Sequence, residues 1–351
     1  MRSRDSVHST EGCVRGKKII VPAPGEPSVL QYHDVSFPTP GPHEIRVRVQ
    51  AIGLNYIDTY GRSGLYPLNY PSGLGGEGAG IVELVGEKVK HFEIGDRVAY
   101  CTGPVGTYAD YYIVDESKVV HLPHHVSFEI AAGGLLKGLT CQFLVKQLKQ
   151  LREDDIVVVW AASGGVGLIL VQWLKLLGVK VIAISSSGDK LALAKQAGAW
   201  QLVNHKVDDV VAKVLEYTNG QKARVVYDSV GAASWEKSLD MVEPKGLLVS
   251  YGNASGPVTN VNLGILAQKG SLFVTRPTLH WFADSYETLN DMAHEFFGLV
   301  REEFIKVDVH QRYSLKDAVD AHVALEAGKT IGSTVLYPDE IAATYFGNES
   351  S

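Results

Sequence analysis

The sequence predicts an α/β protein of two domains, a small, strongly bent β-rich domain and a six-stranded, doubly wound parallel sheet. Three observations predict it. From residue 17 to about 135 the chain runs in short β-forming stretches broken by Pro and Gly. From about 150 to 275 the rhythm changes to strand–helix alternation. At the head of that second region stands Ile156 to Gly178, IVVVWAASGGVGLILVQWLKLLG, an apolar strand that passes through a small-residue turn into an apolar helix.

In the first region Ile45 to Ala51 alternates, and Gly80 to Val85 is a second run. Arg97 to Tyr100 follows the Gly95-Asp96 turn, and Tyr108 to Val114 and Lys118 to Leu122 complete the set. The strands of the second region are Ile156–Trp160, Val179–Ile184, Gln201–Asn204, Val225–Tyr227, Leu247–Tyr251 and Leu272–Thr275. Helices between them make right-handed crossovers. Beyond residue 280 the spacing predicts an amphipathic helix over Tyr286 to Arg301. Thr334 to Tyr337 then reads as a strand returning to the first domain. Residues 1–16 read as a mobile extension, and the tail after Pro338 as loosely attached.

A chain of 351 residues, 45% hydrophobic, can bury a sizeable core in two domains. Its net charge of −6 argues against a broad phosphate-binding surface, so nucleic acid is an unexpected partner. No stretch approaches the roughly 18 unbroken apolar residues that cross a bilayer. Cys13, Cys101 and Cys141 lie far apart and form no CxxC pair, which favours a reducing, cytoplasmic home over a disulfide framework. The first sixteen residues mix Arg2, Arg4 and Arg15 with Asp5 and Glu11 and lack an apolar core. They do not read as a secretory signal, although an organelle address stays open.

The turn at Ala162, Gly164 and Gly167 has the chemistry of a dinucleotide pyrophosphate site. Small residues let the backbone approach the phosphates, and the following helix offers free N–H groups and a positive dipole end. The usual fingerprint begins with glycine, where this chain has Ala162. After the next strand, where an NAD site places an Asp or Glu for the ribose, stand Ser185, Ser186 and Ser187, then Lys190. Hydroxyls and an ammonium suit a 2′-phosphate, so the expected cofactor is NADPH. Two alternatives stay open: Ser187 caps the helix beside a solvated Lys190, and nearby Asp189 favours NADH. Ligands of an open parallel sheet sit outside the carboxyl ends of its strands, which nominates Ser229, Tyr251, Gly252 and Asn253 as lining of the nicotinamide cleft.

Seven segments carry a specific resemblance: AIGLNYIDTYGRSGLYP (Ala51 to Pro67), GGEGAG (Gly75 to Gly80), GDRVAY (Gly95 to Tyr100), LLKGLT (Leu135 to Thr140), AASGGVG (Ala161 to Gly167), VYDSVG (Val226 to Gly231) and GILAQKGSLFVTRP (Gly264 to Pro277). Through them residues 17 to 338 resemble the zinc-independent, zeta-crystallin-like quinone oxidoreductases of the medium-chain dehydrogenase/reductase superfamily. The resemblance implies a GroES-like catalytic domain over 1–137 and 279–351 and a Rossmann domain over 138–278. Zinc members of that superfamily place Cys where Asn55 stands and His where Gly76 stands, so no metal is expected here. Without a Lewis acid the feasible reaction is hydride delivery to an acceptor activated by conjugation.

The same resemblance implies Asn55 and Tyr60 near the nicotinamide and substrate, Tyr66 on the substrate side, and Asn253 orienting the acceptor. It implies Thr140 near the nicotinamide, Gly164, Gly165 and Val166 on the pyrophosphate, Ser186 and Lys190 on the 2′-phosphate, and Ser229 further along. Two positions depart from the family pattern. His205 stands where Tyr is frequent near the adenosine, and Gly328, followed by Lys329, stands where Arg is frequent. Protonated His205 would tighten NADPH binding at mildly acid pH. The expected activity is NADPH-dependent, metal-free reduction of a quinone. A 2-alkenal or enoyl (enone) reductase is the alternative enzyme, and a non-catalytic NADPH- or RNA-binding zeta-crystallin-like protein the alternative of another class. Leu272–Thr275 would be a bare apolar edge, and relatives join two such edges into a homodimer.

Overall fold

The computed structural model describes residues 12–346. The chain opens with β1 (Val14–Ile20) and β2 (Gln31–Phe37), an antiparallel pair. Next come β3 (Glu44–Leu54), α1 (Tyr56–Ser63), β4 (Glu77–Val85), β5 (Arg97–Tyr100), β6 (Tyr111–Asp115) and β7 (Val119–His121). The long helix α2 (Phe128–Lys146) leads into β8 (Ile156–Val159), α3 (Gly165–Leu176), β9 (Lys180–Ser185), α4 (Gly188–Ala197), β10 (Gln201–Asn204) and α5 (Val210–Tyr217). The sheet is completed by β11 (Ala223–Asp228), α6 (Trp235–Met241), β12 (Val242–Ser250), α7 (Gly264–Gln268) and β13 (Phe273–Thr275). The chain then forms α8 (Tyr286–Arg301), β14 (Val309–Ser314), α9 (Ala318–Glu326), β15 (Ser333–Tyr337) and α10 (Asp339–Phe346).

The parallel sheet has the order β10-β9-β8-β11-β12-β13, with the strand order reversing between β8 and β11. This is the doubly wound arrangement, and it puts the switch point at the carboxyl ends of β8 and β11. The second sheet runs β14-β15-β3-β4-β5-β7, with β6 paired to β3. β15 pairs antiparallel with β3, so the last strand does return to the first domain. The apolar runs explain both sheets: Val157, Val158 and Val159 are fully buried in one, and Ile45, Val47 and Ala51 in the other.

Between the domains lies α2. Its length and apolar composition would suit a membrane span, but 72% of that window is buried inside the protein. Ser127 starts it by accepting the Ile130 N–H. Gly138 lets it pack closely on α8, since a Cβ there would stand 2.4 Å from the Phe296 ring. The expected boundary at 137/138 falls inside this helix, which packs on β3 and β4 on one side and α3 on the other. A second seam joins the domains at Gly164 and Gly332, where Gly332 N–H donates to Ser163 O at 2.9 Å.

Two expectations at the ends of the chain need correction. Val14 to Gly16 belong to β1 and not to an extension, because they pair with Phe37, Ser36 and Val35. The rest of that extension, through residue 11, lies outside the described residues. The tail after Pro338 is docked. Ala342 is buried, Tyr345 stacks on Tyr337 with ring centroids 4.6 Å apart, and Ser314 Oγ donates to Asp339 at 2.6 Å.

Candidate active site

The carboxyl end of β8 turns sharply into α3. Ala161 takes a left-handed φ of +49°, and Gly167 packs so close beneath it that a Cβ would stand 2.3 Å from Ala161 O. Gly164 is the N-cap of α3 and supplies no side-chain acceptor, so the first-turn N–H groups of Gly165 and Val166 face outward uncapped. A Cβ at Gly164 would meet only Ala161 O, at 3.3 Å, which leaves open space above the helix head. That cradle fits a pyrophosphate.

The adenosine side is only partly as expected. Ser187 caps α4 by accepting the Lys190 N–H. Lys190 is nevertheless not a freely solvated side chain: its Nζ donates to Gly328 O at 2.6 Å, which leaves two ammonium donors beside half-buried Ser186. Ser185 is buried, and its hydroxyl pairs with Ser163 Oγ at 2.8 Å, so part of its hydrogen-bonding capacity is already used within the protein. His205 lies 6.2 Å from the Trp160 ring. Burial first, then Lys206, Lys237 and Lys190, push its pKa below the usual value, so its charge recedes from the mildly acid range in which it was expected to help.

Residues from both domains meet above the sheet. Asn253 N–H, after β12, donates to Tyr60 Oη of α1 at 2.8 Å, and Asn253 Nδ2 donates to Tyr66 Oη at 3.3 Å. Arg276 Nη2 donates to the same Tyr66 oxygen at 3.0 Å. The two phenol rings meet edge to face, 5.2 Å apart. Burial pushes the Tyr60 pKa up to about 12, so the phenol keeps its proton at neutral pH. Beneath them Gly252 permits close approach, since a Cβ would stand 2.5 Å from Ser229 O. Burial raises the pKa of Tyr251 well above the usual tyrosine value. Thr140 turns its hydroxyl onto Leu136 O of its own helix at 2.7 Å, leaving only an acceptor lone pair for a ligand.

Asn55 sits at the head of α1, where its N–H donates to Asp58 Oδ2 at 2.9 Å and its Nδ2 to Glu77 Oε2 at 2.7 Å. Asp58 is buried and also accepts from Tyr108 Oη. Burial pushes its pKa up to about 7 against those two hydrogen bonds. Tyr108 continues to His322 at 3.2 Å, and Arg62 joins His322 to Glu326. Glu77, Lys137, Asp58 and Arg276 were all missed in the sequence. A signal existed for two of them: Glu77 in GGEGAG and Lys137 in LLKGLT are lone charges in small or apolar runs.

Among the described residues no cluster of three or more His, Cys, Asp or Glu could hold a metal ion. Cavities of about 590 Å³ beside His121 and His294 and about 430 Å³ beside Lys18 lie elsewhere and touch no carboxyl end of the parallel sheet. The site is therefore placed by sheet topology and by the polar groups that converge there.

Residues 41–124 match the family model of the alcohol dehydrogenase GroES-like domain, and residues 165–292 that of the zinc-binding dehydrogenase. A quinone oxidoreductase from Pseudomonas aeruginosa is 55% identical over 92% of this chain and 99% of its own length. Quinone oxidoreductase 1 from Escherichia coli is 48% identical over 90% of this chain and 97% of its own. The crystal structure of the Escherichia coli quinone oxidoreductase complexed with NADPH superposes with a TM-score of 0.91, at 47% identity, covering 92% of this chain and all of that one. A two-domain oxidoreductase fold with its glycine cradle at the switch point, and identity of this extent along nearly the whole chain, have one reading: the chain belongs to the quinone oxidoreductase family of the medium-chain dehydrogenase/reductase superfamily.

Proposed function

We propose that this chain is an NADPH-dependent reductase of quinones that works without a metal. The observation that carries the reading is the meeting of Tyr60 and Tyr66 of one domain with Asn253 of the other, at the strand ends beside the uncapped head of α3. Gly164, Gly165 and Val166 hold the pyrophosphate and Ser186 and Lys190 the 2′-phosphate, while Thr140, Ser229, Tyr251 and Gly252 line the nicotinamide side. Bound there, NADPH supplies the reducing hydride. Tyr60 Oη accepts from Asn253 N–H, which polarises the phenol and leaves its hydrogen to donate to an acceptor carbonyl as negative charge develops. Tyr66, receiving donors from Asn253 and Arg276, is polarised in the same sense. Neither phenol needs to give up its proton, since solvent can protonate the product.

β13 leaves an open edge with Phe273 61% exposed, and a homodimer joined along that edge covers it. The cysteines are free, which suits a reducing compartment such as the cytoplasm. The test compares initial rates of NADPH and NADH oxidation with an ortho-quinone and, separately, a long-chain enal. Chelator-insensitive NADPH turnover with the quinone is expected. Turnover with the enal alone makes the chain an alkenal reductase. Tight NADPH binding with neither acceptor reacting makes it a binding protein, and a salt-dependent RNA shift then becomes the next assay.

A further inference from the structure

Glu77 opens β4 and is fully buried, a setting in which a carboxylate needs compensation from every side. Leu136 N–H donates to its Oε1 at 2.6 Å. Its Oε2 receives both Asn55 Nδ2, at 2.7 Å, and Lys137 Nζ, at 3.4 Å. Lys137 is itself 5% exposed, and its stem lies against the head of α3, where a Cβ on Gly165 would stand 2.6 Å from Cδ and Cε. One line of contacts thus runs from the cofactor cradle through Lys137 and Glu77 to Asn55.

We propose that the Glu77–Lys137 ion pair is the positioning device for Asn55. The Lys137 ammonium donates to a carboxylate that is fully buried. The carboxylate, which can only accept, fixes which way the Asn55 amide is turned: its nitrogen faces Glu77, and its oxygen is left on the side of the α1 head. Lys137 and Glu77 touch neither acceptor nor cofactor in this role; they act through Asn55. The inference rests on the reductase reading only for what Asn55 does once it is oriented. Without Lys137, Glu77 becomes a lone buried charge and takes up a proton, and the acceptor that holds Asn55 is weakened. The other groups that feel Glu77 are Asp58 on α1, Cys101 after β5, and Tyr108. Burial keeps Cys101 and Tyr108 neutral, so Asp58 is the one competing titration and Asp58→Asn is the control background.

The experiment measures kcat and kcat/KM for the quinone against pH in the full chain, Lys137→Met and Lys137→Met/Glu77→Gln, with crystal structures of each. Lys137→Met is expected to lose about ten- to a hundred-fold in kcat/KM at pH 7, as expected for a misplaced group. It should also gain a limb that rises with pH and persists in the Asp58→Asn background, with Asn55 rotated off residue 77 at low pH. The double variant offers a neutral acceptor and should recover part of the activity with no new limb. If Lys137→Met does not fold, Lys137→Gln carries the same comparison. A profile superimposable on the wild type, with Asn55 in place, overturns the inference. A wild-type chain that binds NADPH and reduces no quinone overturns the reductase reading instead, and Asn55 in the variant structures then decides the positioning role alone.

Discussion

Single side chains at this site are defined by which of their hydrogen-bond capacities are already used. Tyr60 has spent its oxygen on Asn253 and keeps its hydrogen. Removing that hydroxyl in Tyr60→Phe should lower kcat/KM for a quinone roughly ten-fold, about one to two kcal/mol, with the NADPH Kd unchanged. Stopped-flow rates beside a fluorescence titration check both halves. Lys190 has spent one donor on Gly328 O and keeps two. Lys190→Ala should raise the NADPH Kd by roughly ten- to a hundred-fold, a loss of about 1.5–3 kcal/mol, and leave the NADH Kd nearly unchanged. Equal losses for both cofactors would show that Lys190 does not meet a 2′-phosphate. These roles were only half readable in the sequence. Ser185, Ser186 and Lys190 look alike as polar groups after a strand, and only packing shows that Ser185 faces Ser163.

At the scale of elements, α1 is tied to α9 through Asp58, Tyr108, His322, Arg62 and Glu326. Asp58 is raised to about 7 from the ordinary carboxylate value of 3.8, chiefly by burial, so the folded state holds a proton there that the unfolded state has lost. Stability from this group therefore falls as pH rises from about 4 to about 7. His322 is lowered to about 3 from 6.5 by burial and Arg62, so the folded state lacks a proton that the unfolded state binds. Stability from it rises across roughly pH 3 to 6.5, and the two slopes nearly cancel where they overlap. Asp58→Asn removes one slope. Its stability should rise with pH between 4.5 and 6, by up to about 1.4 kcal/mol per pH unit more than the wild type. Urea unfolding at several pH values measures this, and parallel curves would refute the balance. None of it is visible in sequence, because Asp58 and His322 are 264 positions apart and nothing in the segment around either names the other as its partner.

For the whole molecule the open question is what covers β13. Phe273 and Val274 pair with β12 on one side and present the other to solvent. Phe273→Lys puts a charge on that edge without touching the core. Under the proposed edge-to-edge homodimer, light scattering should show a dimer for the unchanged chain and monomers for this variant. A dimer that survives the change joins through another face. The two-domain plan and its strand–helix order were largely readable, since long apolar runs such as Ile156–Val159 declare themselves whatever surrounds them. Less periodic pieces were not. β1, β2 and β14 mix charges with apolar residues, and they become strands only because a partner strand lies beside them.

By itself the sequence determined the two sheets, the glycine turn at the head of α3, and the absence of ligand types at Asn55 and Gly76, and it nominated Ser186 and Lys190 for the phosphate side. These depend on residue type and local spacing, which the chain carries in one dimension. Tertiary structure alone decided that Glu77 and Lys137 pair beneath Asn55, that Ser185 turns inward, that Arg276 reaches Tyr66, and that the C-terminal helix docks. Those outcomes depend on burial and on contacts between distant segments, where a charge or hydroxyl takes its role from the partner that desolvation forces on it.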